Sequence, residues 1–358
     1  MRFWKRLFSA SVLMVLMYMA VVLSGYIFSL PNPTTSTSGN RNSSPTPKIL
    51  FFVPGIGCTN ASRLELVWAN LRALSKASVP WDCSVGAFVE RQDFLKSSAH
   101  NPRMRTALEA IEEKCYVSYQ PGAHYADFMK TLHPLLVLRA GYSHVLVCLD
   151  DVTLKPSFNL DIAVALSMKH HISILSPVVE NALHFPVGLQ SAHERKNLVA
   201  SLGAKDVGVY TDFIEVFVAL LSAEAWECWW SLVDPSHISK GWVYDEQLFH
   251  HCSRRFDAKR YPAAINSGKS ATGESPNRKF TMGVLPHMGA VHASGSSDPT
   301  NNPAGYCVPL AEYSETRSMP PGEQYRLWHV ERQKRGDESA PPQEICCEGN
   351  LLGPFRGV

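Results

Sequence analysis

Two adjacent carboxylates, Asp150 and Asp151, close an apolar run that begins at His144 and continues Val145-Leu146-Val147-Cys148-Leu149. Paired acids at the end of a buried strand repel one another, and a hard cation relieves the repulsion because oxygen ligands suit it. A divalent ion held there could carry a diphosphate and neutralise a leaving group, as Lewis acid and as template. The plainer alternative is a solvated strand-to-loop turn, where Asp is common.

A second acidic candidate lies in Gly241-Trp242-Val243-Tyr244-Asp245-Glu246. The glycine permits a tight turn, the aromatics can wall a pocket, and Asp245 opens a helical pattern. A carboxylate there could take a proton from an incoming hydroxyl, an effect worth about 10²–10⁴-fold. The competing role is an N-cap, worth about 1 kcal/mol. The third candidate is His292, at the end of Val284-Leu285-Pro286-His287-Met288-Gly289-Ala290-Val291-His292. It could complete a metal site with the two aspartates, or be a packed or surface histidine. Asp150, Asp151, Asp245 and His292 are expected to converge on one cleft although they lie far apart in the chain. Trp226, Trp229 and Trp230 fit a helix core better than a sugar-stacking platform.

Two other motifs fail. Ser267-Gly268-Lys269-Ser270 resembles the end of a phosphate-binding loop, but Ala263 stands where its first glycine belongs, and no strand or helix pattern flanks it. Gly55-Ile56-Gly57 follows a strand pattern, but Asn60 breaks the dinucleotide fingerprint, which leaves a strand-to-helix turn.

The elements that must position these residues alternate in type. Strand patterns cover Lys48–Val53, Cys83–Val89, Cys115–Tyr119, His144–Leu149, Ile172–Leu175, Glu215–Leu221 and Thr281–Leu285. Helical patterns run through Leu64–Leu71, Tyr125–Leu138 with a kink or break at Pro134, Leu160–His170 and Ala223–Val233. Such alternation implies an α/β fold with a mainly parallel, mixed sheet sandwiched by helices. Ligands of such sheets bind outside the carboxyl ends of the strands, where the strand order switches.

The flanks have a different character. Arg2, Lys5 and Arg6 precede an uncharged run from Leu7 to Leu30, long enough for a spanning helix and longer than the apolar core of a cleavable signal. The positive flank predicts a cytosolic tail over 1–6, a transmembrane signal anchor over 7–30 and a translocated remainder, a type II single-pass topology. A long cleaved signal ending near Ser24-Gly25 is the alternative. Residues 31–47, rich in Pro, Ser, Thr and Asn, read as a flexible stem. Residues 48–293 form the expected lumenal domain, and 294–358 a mostly disordered tail with one short ordered piece around Tyr325–Val330.

The chain of 358 residues has a formal net charge of +2 with mixed signs, and no basic stripe that would suit a nucleic acid polymer. Its nine cysteines fit an oxidising lumen, and none forms the C-x-x-C pair of a structural zinc site. Cys148, within the apolar strand pattern, is expected to be a buried free thiol. Asn42-Ser43-Ser44 and Asn60-Ala61-Ser62 are glycan acceptor sequences in such a compartment.

Three stretches taken together carry a resemblance. The run Gly141–Asp151 is followed by Phe158-Asn159-Leu160 and Leu175-Ser176-Pro177; then come Phe213–Trp226 and Gly241–Asp245; last comes Met282–His292. Their order and spacing over Lys48–Ala293 resemble a plant-centred family of unknown function, often labelled lysine-ketoglutarate-reductase trans-splicing-related, which is similar to glycosyltransferases of the GT-A, Rossmann-like fold. The resemblance implies a nucleotide-sugar-dependent transferase with a Golgi-type anchor, stem and catalytic domain, using Mn2+ or Mg2+ and acting on a glycan or protein acceptor. It matches Asp150 and Asp151 to the second and third places of an acidic metal-binding triplet, Asp245 to the acidic residue of a Gly-Trp-Gly-like segment, where it would serve as base, and His292 to the family's late histidine, which would join the metal site. Leu149 stands where the first acid of the triplet is expected, and Val243 replaces a glycine of the later motif. Loss of the first acid points the other way, to a non-catalytic membrane-anchored binding or scaffold protein on the same fold. A nucleotide-dependent enzyme of another class, resting on Gly55 and Gly57, is a third reading.

Overall fold

The computed structural model describes residues 46–56, 61–180, 206–211, 213–214, 216–235, 244–260, 280–293 and 351–356. The chain divides into two units, Met1–Pro45 and Thr46–Val358, of which the first lies outside the described residues. The anchor expected at 7–30 and most of the stem therefore lie outside them too. Among the described residues, no helix is long and apolar enough to cross a membrane.

Among the described residues, ten strands form one sheet in the order β10-β7-β9-β6-β8-β4-β1-β2-β3, with β5 pairing β9 off that path. In chain order the strands are β1 Ile49–Ile56, β2 Trp81–Ala87, β3 Tyr116–Tyr119, β4 His144–Cys148, β5 Val152–Leu154, β6 Ile174–Glu180, β7 Asp206–Thr211, β8 Val218–Ser222, β9 Met282–His292 and β10 Leu351–Arg356. The helices are α1 Ala61–Leu74, α2 Arg91–Ser98, α3 Pro102–Lys114, α4 Tyr125–Thr131, α5 Pro134–Arg139, α6 Leu160–His170, α7 Ala223–Leu232 and α8 Tyr244–Arg260.

The apolar runs read from the sequence are central strands buried on both faces. Along β1, Ile49, Phe51 and Val53 enter one core and Phe52 the other; along β4, Leu146 and Cys148 face the first core and Val145 and Val147 the second. This is the two-residue alternation of a strand covered on both sides. Helices α1, α2, α3 and α6 cover the first face, and α4, α5, α7 and α8 the second. Trp226 and Trp229 are fully buried in the second core, as their helical spacing suggested. Pro134 occupies the first turn of α5, so the expected kinked helix is two helices. A proline is tolerated there because the first amides of a helix lack intrahelical partners.

One expectation is corrected. The sheet is mixed rather than mainly parallel. Pairs β1–β2, β1–β4, β2–β3 and β6–β9 are parallel, while β4–β8, β6–β8, β7–β9, β5–β9 and β7–β10 are antiparallel. The physical reason is the insertion of β8, antiparallel to both neighbours, between β4 and β6. A strand's direction depends on where its connections deliver it, and its own residues do not encode that. Within the segment 294–358, Leu351–Arg356 joins the edge of the sheet beside β7, and its Pro354 is tolerated because an edge strand has one unpaired side. The piece expected around Tyr325–Val330 lies outside the described residues.

Strand β1 has β2 on one side and β4 on the other. The chain moves outward from β1 to β2 to β3, then returns across β1 to lay down β4. The strand order therefore reverses between β1 and β4, and the carboxyl ends of these two strands flank the crevice that such a reversal opens.

Candidate functional site

Strand β4 ends in a turn. The amide of Val152 donates to the carbonyl of Leu149 at 3.2 Å, which makes Asp150 and Asp151 the two central residues of a β-turn at the switch point. The turn is not a solvated one: Asp150 is 8% exposed and Asp151 4%. Leu149 packs against the first core and points no donor at the site.

The chain after the turn is held in place by α1. Asn70, 1% exposed, donates from Nδ2 to the carbonyl of Val152 at 2.6 Å, and its Oδ1 accepts the amide of Leu154 at 2.8 Å. One side chain thus satisfies both polar backbone groups that β5 turns toward the helix. Arg63 lies two helical turns earlier on the same face. Its Nη1 donates to Asp150 Oδ1 at 2.6 Å and lies 2.9 Å from Asp151 Oδ2. Neither Arg63 nor Asn70 was singled out in the sequence. The available signal was two polar residues seven apart on the stripe that also carries Val67 and Leu74.

Strand β9 brings the histidine. In the antiparallel β5–β9 ladder Val152 faces His292, and the amide of Ala293 donates to the carbonyl of Asp151 at 2.7 Å. His292 Nε2 is then 3.2 Å from Asp151 Oδ2. An ionised carboxylate only accepts, so Nε2 carries the proton in this contact. The ring of Phe217 stacks on His292 with centroids 4.6 Å apart and planes inclined by 25°. Strand β9 carries a bulge before this point: opposite β6 the register jumps from Pro177–Leu285 to Val178–Gly289, so Pro286, His287 and Met288 are looped out. At the point of return a Cβ on Gly289 would meet Lys155 Cδ at 2.8 Å, so the glycine lets the lysine side chain lie across the strand.

The electrostatics follow from the contacts. Burial alone would raise the pKa of Asp151, but the hydrogen bond from His292 and the charge of Arg63 outweigh it and hold the carboxyl below the ordinary value. Burial would lower the pKa of Arg63, but the charges of Asp150 and Asp151 overcome it and push the guanidinium up. Asp151 is therefore ionised and Arg63 is cationic. Asp151 Oδ1 is buried without a hydrogen-bond partner, while Oδ2 serves both Arg63 and His292. Cys148, directly below the turn, is a buried free thiol as expected, and burial pushes its pKa up, with the two aspartates adding to the rise.

Three of the four sequence candidates thus lie together, joined by Arg63. Asp245 is the second residue of α8, and the placement of its side chain lies outside what is described, as do Gly241, Trp242 and Val243. The neighbouring Tyr244 is buried, with its hydroxyl donating to the carbonyl of Asp234 at 3.0 Å and accepting its amide at 2.8 Å. This anchors the start of α8, and a disulfide between Cys228 and Cys252 ties that helix to α7. A second disulfide joins Cys83 to Cys115.

The expectation of a divalent ion shared by Asp150, Asp151 and His292 does not match this arrangement. Among the described residues, no group of three or more His, Cys, Asp or Glu could hold a metal ion. The physical reason is Arg63, whose guanidinium nitrogen already bridges an oxygen of each aspartate. The residues as they stand do not fit the ion.

No protein-family model matches the chain, and no curated protein matches it. Among solved structures, the chain is similar to GalNAc-T7, crystallised with UDP, GalNAc and Mn2+, at 9% identity and a TM-score of 0.47, over 82% of this chain and 49% of that one. It is similar to residues 1–349 of S. aureus TarS in complex with UDP-GlcNAc at 11% identity and a TM-score of 0.37, over 79% of this chain and 65% of that one. It is also similar to A197 from STIV at 9% identity and a TM-score of 0.32, over 68% of this chain and 85% of that one. The chain spans about half the length of the first of these structures and just under two thirds of the second.

Proposed function

We propose that this chain is a glycosyltransferase-like protein, anchored in a secretory-pathway membrane of the Golgi type, that takes a sugar from a nucleotide-sugar donor to a glycan or protein acceptor in the lumen. The observation that carries this reading is the cluster of Arg63, Asp150, Asp151 and His292 at the carboxyl ends of β1 and β4, where the strand order reverses. Open α/β sheets bind their ligands at this place. The order of motifs across Lys48–Ala293 supports the transferase class. The uncharged run Leu7–Leu30 supports the anchor, and the two disulfides suit an oxidising compartment.

In this reading the acidic pair and Arg63 form a fixed, ionised platform that orients the donor. Asp245, at the start of α8, acts from the acceptor side as a base for the incoming hydroxyl. The division of labour is physical: the paired carboxylates stay ionised to hold charge, while a separate one is free to accept a proton. A thermal-shift screen of UDP-, GDP- and CMP-sugars against the full chain tests the reading. At least one nucleotide sugar should raise the melting temperature, and release of free nucleotide on adding an acceptor should fall about 10²–10⁴-fold in Asp245→Asn with binding kept. No shift with any nucleotide sugar would sink it.

Leu149 favours a second reading, a binding or scaffold protein without turnover on the same fold, because the family's first acid is replaced by a core leucine. Binding of a nucleotide sugar without nucleotide release under any acceptor would select that reading.

A further inference from the structure

We propose that Arg63 is the resident cation of the acidic pair, standing where a divalent ion would stand, so that the site takes its ligand without metal. The placement of Arg63 rests on the ion pairs alone, whereas the identity of the ligand rests on the nucleotide-sugar reading above.

The argument begins with occupancy. Nη1 of Arg63 lies 2.6 Å from Asp150 Oδ1 and 2.9 Å from Asp151 Oδ2, so a single nitrogen sits between the two carboxylates. A divalent ion bridging the same two oxygens would lie about 2.0–2.6 Å from each. Nitrogen and ion cannot both be there. Displacing the guanidinium would also cost its attachment: Arg63 projects from the first turn of α1, and Asn70 pins the same helix to β5. Arginine cannot escape by deprotonation, since guanidinium keeps its charge throughout the accessible pH range.

Charge sets the expected strength. A divalent ion would leave two carboxylates neutral overall, whereas one guanidinium leaves them a net negative charge. A diphosphate approaching Arg63 meets that residual charge, so binding is weak and insensitive to added metal. Guanidinium has five N–H donors, and Nε and Nη2 make no hydrogen bond to any described residue. With the side chain 19% exposed, these are the donors available to phosphate oxygens.

The test uses Mn2+ alone as probe, followed by its electron paramagnetic resonance signal as it is titrated with the full chain in detergent. Wild type should leave the Mn2+ free, and Arg63→Gln should take up one ion per chain and gain melting temperature from it. Arg63→Lys, which keeps the charge should the glutamine variant fold poorly, should leave Mn2+ free as wild type does. Uptake of one Mn2+ by wild type that is lost in Asp151→Asn would overturn the proposal. Failure of folded Arg63→Gln to take up the ion would overturn it as well, because Arg63 would not be what excludes metal. In a parallel arm, UDP should shift the wild-type melting temperature equally in EDTA and in Mn2+. A shift seen only with Mn2+ would overturn the proposal, while no shift in either would count against the nucleotide-sugar reading and leave the Mn2+ titration to decide the role of Arg63.

Discussion

His292 Nε2 lies 3.2 Å from Asp151 Oδ2 although 141 positions separate the two residues in the chain. The contact exists because β5 and β9 pair antiparallel with Val152 opposite His292, which delivers the ring to the oxygen that Arg63 also engages. Asp151 is therefore the hub of the cluster.

Asp151→Ala removes the acceptor shared by Arg63 and His292. Breaking a buried pair by deleting one partner costs on the order of 3 kcal/mol, because a charge is left under-compensated. Urea unfolding should show a clearly lower midpoint for the variant. An unchanged midpoint would mean that these ion pairs contribute nothing to the folded state.

Asn70→Ala should destabilise by about 1–3 kcal/mol, because the carbonyl of Val152 and the amide of Leu154 lose their partners where water cannot replace them. Hydrogen exchange gives a local readout: the Leu154 amide should exchange faster in the variant, while the amides of β2 and β3, remote from Asn70, keep their relative protection. Equal loss of protection everywhere would show that Asn70 acts on global stability alone and does not position β5.

The pair Asp150-Asp151 was legible in the sequence because two acids ending an apolar run are visible without any tertiary information, and His292 because a histidine closes a late strand pattern. Arg63 and Asn70 were not, because they acquire their meaning across 87 and 82 positions, through the packing of one face of α1 on the end of β4. The central strands β1 and β4 stood out as unbroken apolar runs. Strands β7 and β10 did not: Asp206–Thr211 and Leu351–Arg356 each contain a glycine, and the second also a proline, so neither shows a strand pattern before its partner is known. Helix α2 was missed for a related reason, since Arg91–Ser98 buries only Phe94 and Ser98 and presents mostly polar residues, whereas α3 carried a readable stripe in Met104, Ala107, Leu108 and Ile111 that the sequence reading passed over.

His144 predicts acid sensitivity at the opposite end of β4. Its ring is buried between the hydroxyls of Ser143 and Ser167, each 3.0 Å from a ring nitrogen, and burial holds its pKa down at about 4 against an ordinary 6.5. The unfolded chain takes up a proton between pH 6.5 and about 4 that the folded chain refuses. Stability therefore falls as the pH drops through that window, and the loss, on the order of 3 kcal/mol, is complete below about pH 4. His144→Gln should flatten this part of the stability profile in urea titrations. Parallel profiles for wild type and variant would refute the assignment.

The two disulfides among the described residues close segments of 32 and 24 positions. Each should stabilise by about 3–4 kcal/mol through restriction of the unfolded chain. Replacing Cys228 and Cys252 with Ser should lower the urea midpoint and speed proteolytic cleavage within α8, the helix that starts beside Asp245. Cleavage no faster than in wild type would show that packing against α7 alone holds α8.

The pairing of Leu351–Arg356 with β7 bears on how the protein is handled. Cutting the chain before Leu351 would bare the backbone donors and acceptors along β7, and an open strand edge is a template on which another copy can dock. Expression trimmed to 48–293 would thus leave a sticky flank, and soluble yield should improve when the final segment is kept, with any fusion partner placed ahead of Thr46 rather than behind Arg356.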